Sequence, residues 1–447
     1  MIYMDLRGEK FNVEKLYKVF CECNGYTTDT REITGGEMFF ALKGDNFDAN
    51  EFAAHAIERG AKYCVVDDVN VWENCSEGIA GKLIIVDDVL TAFRAMAKHH
   101  RSRFDIPVVG ITGTNGKTTT KEMINAVLST KYRVTCTKGN RNNHIGVPMT
   151  LLEITPETEI AVIEMGANHP GEITASVQLA MPTHGLITNV GKAHLEGFGD
   201  FEGVKKTKGE LYDWLSESGG IAFYDADNEI LSEMIAARKG MQLMPYGVEY
   251  AGMRVLKTSR VNPYLTMEVE AANVVSRITT RLIGAYNATN VAAALAVGGY
   301  FEVDFDAAVN AIESYIPSNS RSQLIDTGRN IVILDAYNAN ASSMNAALDN
   351  FASTSFPNKA LVLGDMLELG KYSKEAHAEI LAKARKITGE IYLVGGGEFK
   401  AVAEEGDLVF DTSLQLKEFF RKLKPEGKTI LIKGSNATRL PLIMEVL

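Results

Sequence analysis

The sequence predicts an α/β protein of three domains: a small α/β N-terminal domain, a central parallel-sheet domain and a C-terminal Rossmann-like domain. Three observations carry that expectation. Short apolar runs of strand length alternate with helix-length segments along most of the 447 residues, the pattern of a parallel sheet with helices on its faces. A glycine-rich turn at 110–123 joins a fully apolar run to a helical one. The last third holds four more buried-type runs, NIVILDA, KALVLGD, EIYLVGG and TILIKGS, spaced by helix-length segments. The boundaries are expected near 88 and 315, giving domains 1–88, 89–314 and 315–447.

In chain order, AKYCVVDD and KLIIVDD read as short strands ending in acids, and TAFRAMAKHHRSRF (91–104) as a linking helix. IPVVGIT (106–112) reads as a strand buried on both faces. A helix is expected from about Thr118 to Ser129. RVTCT, EIAVIEMG, HGLITNV and GIAFYDA continue the strand series, and residues 253–283 alternate as antiparallel strands do. Leu282–Phe301 has no charged residue but is rich in alanine and contains Asn287 and Asn290, so it suits a buried helix rather than a membrane span.

Composition narrows the function. Fifty-seven acids against 46 bases give a net charge of −11, which argues against a nucleic-acid binder. No apolar leader opens the chain, and no polybasic run would hold a membrane, so a cytoplasmic protein is expected, with a monomer as the default expectation. The five cysteines lack metal-ligand spacing and suit a reducing compartment.

GITGTNGKTTTKEM (110–123) is the most informative stretch. Gly113 and Gly116 let backbone N–H groups approach phosphates, and the following helix N-terminus adds donors and a favourable dipole. Lys117 would reach the β- and γ-phosphates and Thr118 would offer its hydroxyl to Mg²⁺. With Thr114, Asn115 and Thr119 these are expected to form an NTP-binding loop, one that departs from GxxxxGK[ST] because its first glycine sits a residue early. Glu164 ends an apolar strand and His194 follows the next one, at the edge where open α/β sheets hold ligands. Read alone, Glu164 is a helix cap and His194 a loop residue; beside a phosphate loop they become metal-ligand candidates. On the helix 201–215, Lys208 shares a stripe with Phe201, Val204, Leu211 and Leu215, while Lys205 and Lys206 face solvent. A buried lysine is costly unless paired or neutral; the alternative is a lysine snorkelling to the surface.

The loop TGTNGKTT resembles that of the Mur ligases and their relatives, the folylpolyglutamate and cyanophycin synthetases. The resemblance covers nearly the whole chain through GNRNNHIGVPMTLL (139–152), EMGANHPGEI (164–173), NVGKAHLEGFG (189–199), DAYNANASSM (335–344), LGDMLELG (363–370) and IKGS (432–435). These motifs are similar to the branch that joins D-alanyl-D-alanine to a UDP-N-acetylmuramoyl-tripeptide, and TDTREITGGEMFFALKGDNFDANEF (28–52) fits its uridine-nucleotide segment. Where that family commonly has Asp-Gly-His, this chain has Asp48-Ala49-Asn50.

The resemblance implies an ATP-dependent, amide-forming ligase working through an acyl phosphate in peptidoglycan precursor synthesis. It implies two Mg²⁺ ions on Thr118, Glu164, His194 and Lys208, the last as a CO₂-derived carbamate. It implies adenine recognition by Asn290, with Asn287 a turn away. Arg321 and Asp335 would face ATP, and Tyr337, Asn338 and Asn340 the incoming dipeptide. Arg31 and Lys43, with Thr30 and Gly44, would bind the UDP diphosphate, and Asn142, Asn143 and His144 the muramoyl peptide. A phosphate-loop kinase, a regulatory NTPase and a non-catalytic nucleotide scaffold are the competing classes.

Overall fold

The computed structural model describes residues 4–447 apart from 9, 10, 45, 260, 261, 272, 273 and 319. The alternating set expected to begin near 319, and part of the 253–283 patch, touch residues outside that description. Strand-forming runs collect into three main sheets. The first comprises β1 (Met4–Asp5), β2 (Tyr26–Thr27), β3 (Met38–Phe40), β4 (Tyr63–Val66) and β5 (Leu83–Ile85). All its pairings are parallel, in the order β1-β5-β4-β3-β2.

Helix α1 (Val89–Arg101) follows, capped by the Asp88 side chain on Thr91 N–H. Its apolar face belongs to the N-terminal core: Phe93 lies 4.9 Å from Phe40 and 5.7 Å from Tyr26, ring to ring. The His100 imidazole meets the Tyr17 hydroxyl at 2.9 Å. The first compact unit accordingly runs to Ile106 and takes in 143–156 and 178–181. The unit extends past the boundary expected at 88, because α1 packs on Tyr17, Tyr26 and Phe40 before it in sequence and its His100 Nε2 meets Ile154 O (2.8 Å) after it.

The second unit contains both remaining sheets. The central one comprises β6 (Val108–Thr112), β7 (Val134–Cys136), β8 (Ile160–Glu164), β9 (His184–Ile187), β10 (Ile221–Asp225) and β11 (Gln242–Tyr246). It is parallel throughout, ordered β11-β10-β9-β6-β8-β7. Every residue of β6 and β8 is buried, as their unbroken apolar sequences require. Helices α2 (Lys117–Leu128), α3 (Phe201–Ser218) and α4 (Ala288–Tyr300) flank this sheet. The segment tested above as a membrane span ends in α4, whose alanines pack into the central core with Val291 and Val297. Among the described residues no helix is long and apolar enough to cross a membrane. A small antiparallel sheet of β12 (Arg254–Val255), β13 (Thr266–Ala271) and β14 (Val274–Thr279) precedes α4.

The C-terminal sheet comprises β15 (Gln323–Asp326), β16 (Ile331–Asp335), β17 (Lys359–Gly364), β18 (Ile391–Val394), β19 (Leu408–Phe410) and β20 (Thr429–Lys433). Its order is β15-β16-β20-β17-β18-β19, parallel except for β15 against β16. Helix α5 (Ala341–Ser353) follows β16, with Asn340 and Ser343 forming a reciprocal capping box. Apolar cores lie on both faces of this sheet, as a doubly wound unit requires.

Candidate active site

Strand β6 ends at Thr112, and the phosphate loop begins there. Gly113 has φ 143° and Gly116 φ 79°, values an L-residue avoids. A Cβ on Gly113 would stand 2.0 Å from Thr188 Oγ1. The neighbouring 188–191 segment holds the loop in shape. Thr114 N–H donates to Asn189 O (2.9 Å) and Asn115 N–H to Asn189 Oδ1 (3.0 Å). The Thr188 hydroxyl donates to Asn115 O (2.6 Å). Helix α2 opens at Lys117, directly after Gly116, so its N-terminal donors face the loop.

Lys117 folds back over the loop, donating to Gly113 O (2.7 Å) and Thr114 O (3.0 Å). Burial pushes its ammonium down to about 8, against the opposing pull of Glu164. Parallel register places Glu164, at the tip of β8, beside Ile111 of β6. Its Oε1 accepts from Asn142 Nδ2 (2.7 Å) and the Thr118 hydroxyl (3.2 Å). Its Oε2 is buried and accepts no hydrogen bond. An orphaned, buried carboxylate oxygen next to a threonine hydroxyl is the hard-oxygen donor set that Mg²⁺ takes, so these residues fit the ion. Among the described residues no three His, Cys, Asp or Glu side chains gather as a ready-made cage.

His194 has left-handed backbone, φ 51°, and its Nδ1 pairs with Glu368 of the C-terminal lobe rather than with Glu164. Burial and the ammonium groups of Lys117 and Lys208 lower its pKa, while Glu368 raises it. The stripe expected on α3 is present: Val204, Lys208, Leu211 and Leu215 are buried and Phe201 is half-buried. Lys208 is 2% exposed, its nearest hydrogen-bond partner being Ala167 O at 3.5 Å. Burial, with Lys117 adding to it, pushes its ammonium down to about 7. An amine that has given up its proton in about half the molecules near neutral pH fits addition to CO₂.

The C-terminal lobe faces this edge with a cavity of about 280 Å³, lined by Thr118, Asn140, Arg321, Tyr337 and Asn436 among others. The Arg321 guanidinium stacks on the Tyr337 ring at 3.7 Å. Its Nε has no acceptor, leaving a buried donor for an anion. Asp335 accepts from Lys433 Nζ (2.6 Å) and Ser322 N–H (3.3 Å). Asn340 Nδ2 donates to Asn115 Oδ1 at 2.9 Å, tying the phosphate loop to the N-cap of α5.

The same two lobes are recognised by family models. The Mur ligase middle domain matches residues 111–298, and the Mur ligase glutamate ligase domain matches 320–436. A UDP-N-acetylmuramoyl-tripeptide–D-alanyl-D-alanine ligase of Bacillus subtilis is 37% identical over 367 residues, 80% of this chain and 76% of that protein. This chain belongs to the Mur ligase family. Its structure is similar to that of MurF from Acinetobacter baumannii, with a TM-score of 0.83, 28% identity and coverage of 97% and 98% of the two chains. It is also similar to MurF ligase from Thermotoga maritima in complex with ADP, with a TM-score of 0.80, 26% identity and coverage of 94% and 96%.

Of the other residues expected to be functional in this Mur ligase, several are committed to internal contacts. Asn287 Nδ2 donates to Ile283 O (2.9 Å), Asn290 Nδ2 to Asn287 Oδ1 (2.9 Å), and the Thr120 hydroxyl to Asn290 Oδ1 (3.0 Å). The pair thus links α4 to the phosphate-loop helix. Asn143 Oδ1 accepts from Gly146 N–H (2.8 Å), and His144 is exposed. Asn338 Oδ1 accepts from Ala339 N–H (2.8 Å). In the N-terminal unit Thr30 and Arg31 lie in a short 3-10 turn, and Lys43 and Gly44 in a small hairpin. Both cations are paired: Arg31 with Asp29 (2.6 Å) and Lys43 with Asp67 (2.8 Å). Buried Asn50, from the atypical Asp48-Ala49-Asn50 turn, bridges Asp48 and Asp67.

Three residues at the site escaped sequence reasoning. Lys433 closes the buried strand TILIK and sits opposite Asp335 in parallel register; a charge ending an apolar run was the available signal. Glu368 lies in LGDMLELG, whose loop gives no hint that it meets His194. Lys121 stands in the phosphate-loop motif itself and is fully buried.

Proposed function

We propose that this Mur ligase joins D-alanyl-D-alanine to the terminal carboxylate of UDP-N-acetylmuramoyl-tripeptide at the expense of ATP, in the cytoplasmic synthesis of peptidoglycan precursors, working as a monomer. The observation that carries the reading is the anion cavity, where the phosphate-loop Thr118 and the C-terminal Arg321 line one space. An acyl-phosphate ligase needs such a space, because the γ-phosphate and a carboxylate must meet away from water.

In the reaction, a carboxylate oxygen of the tripeptide attacks the γ-phosphorus of ATP, the bond to the β-phosphate oxygen breaks, and ADP leaves. The dipeptide amine then attacks the acyl carbon, loses a proton and expels inorganic phosphate, leaving the amide. Lys117 would turn from its loop carbonyls to the transferring phosphoryl group, where its charge counts most in the transition state. Thr118, Glu164, His194 and Lys208 would hold Mg²⁺, which neutralises phosphate charge when bound. The amine of Lys208 would take up CO₂ as a carbamate. Asn290 would meet adenine. Arg321 and Asp335 would face ATP, and Tyr337, Asn338 and Asn340 the dipeptide. Arg31 and Lys43, with Thr30 and Gly44, would exchange their acidic partners for the UDP diphosphate, with Asn142, Asn143 and His144 toward the muramoyl peptide.

The test is phosphate release from purified protein against a panel of UDP-muramoyl peptides and amines. Release is expected only when the tripeptide nucleotide and D-alanyl-D-alanine are both present, with one amide formed per phosphate. Release with ATP alone, or transfer of phosphate to either organic substrate as a stable product, would place the chain among the NTPases or kinases instead.

A further inference from the structure

Lys121 lies one helical turn beyond Lys117 on α2, and no step above uses it. A lysine is almost never fully buried without partners, and this one has a complete set. Its ammonium donates to Thr137 O (2.5 Å) and Gly139 O (3.0 Å), and lies 2.8 Å from Glu122 Oε1. Three donors meet three acceptors. A fourth neighbour is Glu164 Oε2, at 3.9 Å. That distance is too long for a hydrogen bond but short enough for a charge to act through a buried medium.

The two carbonyls that Lys121 holds form the exit of β7, from which the chain runs to Asn140 and Asn142. Asn142 returns to Glu164 twice over: its Nδ2 donates to Oε1, and its carbonyl accepts from Gly166 N–H at 2.7 Å. The Thr137 hydroxyl accepts from Glu164 N–H at 3.0 Å. One buried ammonium thus anchors the strand exit that frames Glu164, and offsets the carboxylate's charge from the side that accepts no hydrogen bond. Oε2 is left uncommitted.

We propose that Lys121 is a positioning residue: it fixes the 137–142 segment and the Glu164 carboxylate so that Oε2 stays open to the divalent cation that accompanies the nucleotide. The inference rests on the reading of Glu164 as the carboxylate of the ATP site. A lysine that only fills space would affect stability alone, whereas a positioning lysine changes the Mg²⁺ requirement.

The experiment is calorimetric titration of the full chain with ADP over a Mg²⁺ series, alongside amide exchange of the ligand-free protein. Lys121→Met, which keeps the stem and removes the charge, is expected to raise the Mg²⁺ concentration for half-maximal ADP affinity at least fivefold. Exchange across 139–144 is expected to speed up at least tenfold. Lys121→Arg should bring the Mg²⁺ requirement back to within about twofold of wild type. Should Lys121→Met fail to fold, Lys121→Gln, which keeps an N–H₂ donor group and no charge, is read in its place with the same expected shift. A folded, uncharged variant with wild-type Mg²⁺ requirement and exchange overturns the proposal, as does wild-type ADP binding that ignores Mg²⁺. Wild-type protein that binds Mg²⁺ and ADP but forms no amide refutes the proposed ligation, and leaves Lys121 to be judged on the same titration.

Discussion

Two lysines in this site are destabilised as ammonium ions, with different consequences. Lys117 is held by loop carbonyls, which the proposed reaction would have it leave for a phosphoryl group. Lys117→Ala should leave melting nearly unchanged and lower ligation at least 100-fold, the scale of losing one preorganised charge partner; turnover within tenfold of wild type would remove it from the mechanism. Lys208 has a long contact to Ala167 O at 3.5 Å, and its pKa falls from 10.5 to about 7. Below pH 7 folded and unfolded chains both carry the proton, and the folded one bears the full cost of a buried charge. Between pH 7 and 10.5 the folded chain has released its proton while the unfolded chain keeps it, so the cost is relieved as pH rises. At about 1.4 kcal/mol per pH unit the whole effect is roughly 5 kcal/mol. In CO₂-depleted buffer, Lys208→Met should raise the melting temperature more at pH 6 than at pH 9. Equal gains at both would contradict the buried-ammonium account.

At the scale of elements, the loop between β6 and α2 depends on backbone that only glycine adopts cheaply. Gly113→Ala adds a methyl group at a positive φ, 2.0 Å from Thr188 Oγ1, closer than a carbon can stand, and a tight 3.0 Å from Thr188 N. The loop must move away from the 188–191 segment. Calorimetry should show ADP affinity falling at least 100-fold; unchanged affinity would mean that the loop is not the phosphate cradle. The strand–loop–helix order was legible because buried parallel strands are unbroken apolar runs and glycines punctuate them. Helix α2 begins at Lys117, one residue before the expected start, and α3 continues to Ser218, three residues beyond the stripe that revealed it. Polar helix ends carry no periodic signal, which explains both differences.

Across the whole second unit, the middle and C-terminal lobes already touch at the site through Asn115–Asn340 and His194–Glu368. The Glu368 carbonyl also accepts from Glu196 N–H at 3.2 Å. Substrates that bridge the lobes should tighten this junction. Amide exchange in 338–343 and 368–370 is expected to slow when a non-hydrolysable ATP analogue and the UDP-tripeptide bind together. Exchange that stays constant would show that the junction takes no part in substrate capture.

Sequence alone determined the fold class, the phosphate loop, the inward stripe of Lys208 and the family, because each is written in local pattern: period, spacing or contiguous motif. Tertiary structure decided what each polar group faces. It placed α1 in the N-terminal core, paired Arg31 and Lys43 with acids, turned Asn287 and Asn290 toward each other, and set Glu368 on His194 across 174 residues. It also left one oxygen of Glu164 without a donor and Lys121 beside it. A side chain's charge is a property of its residue type, but its partner is chosen by which strand tips and loops the topology brings to the same sheet edge.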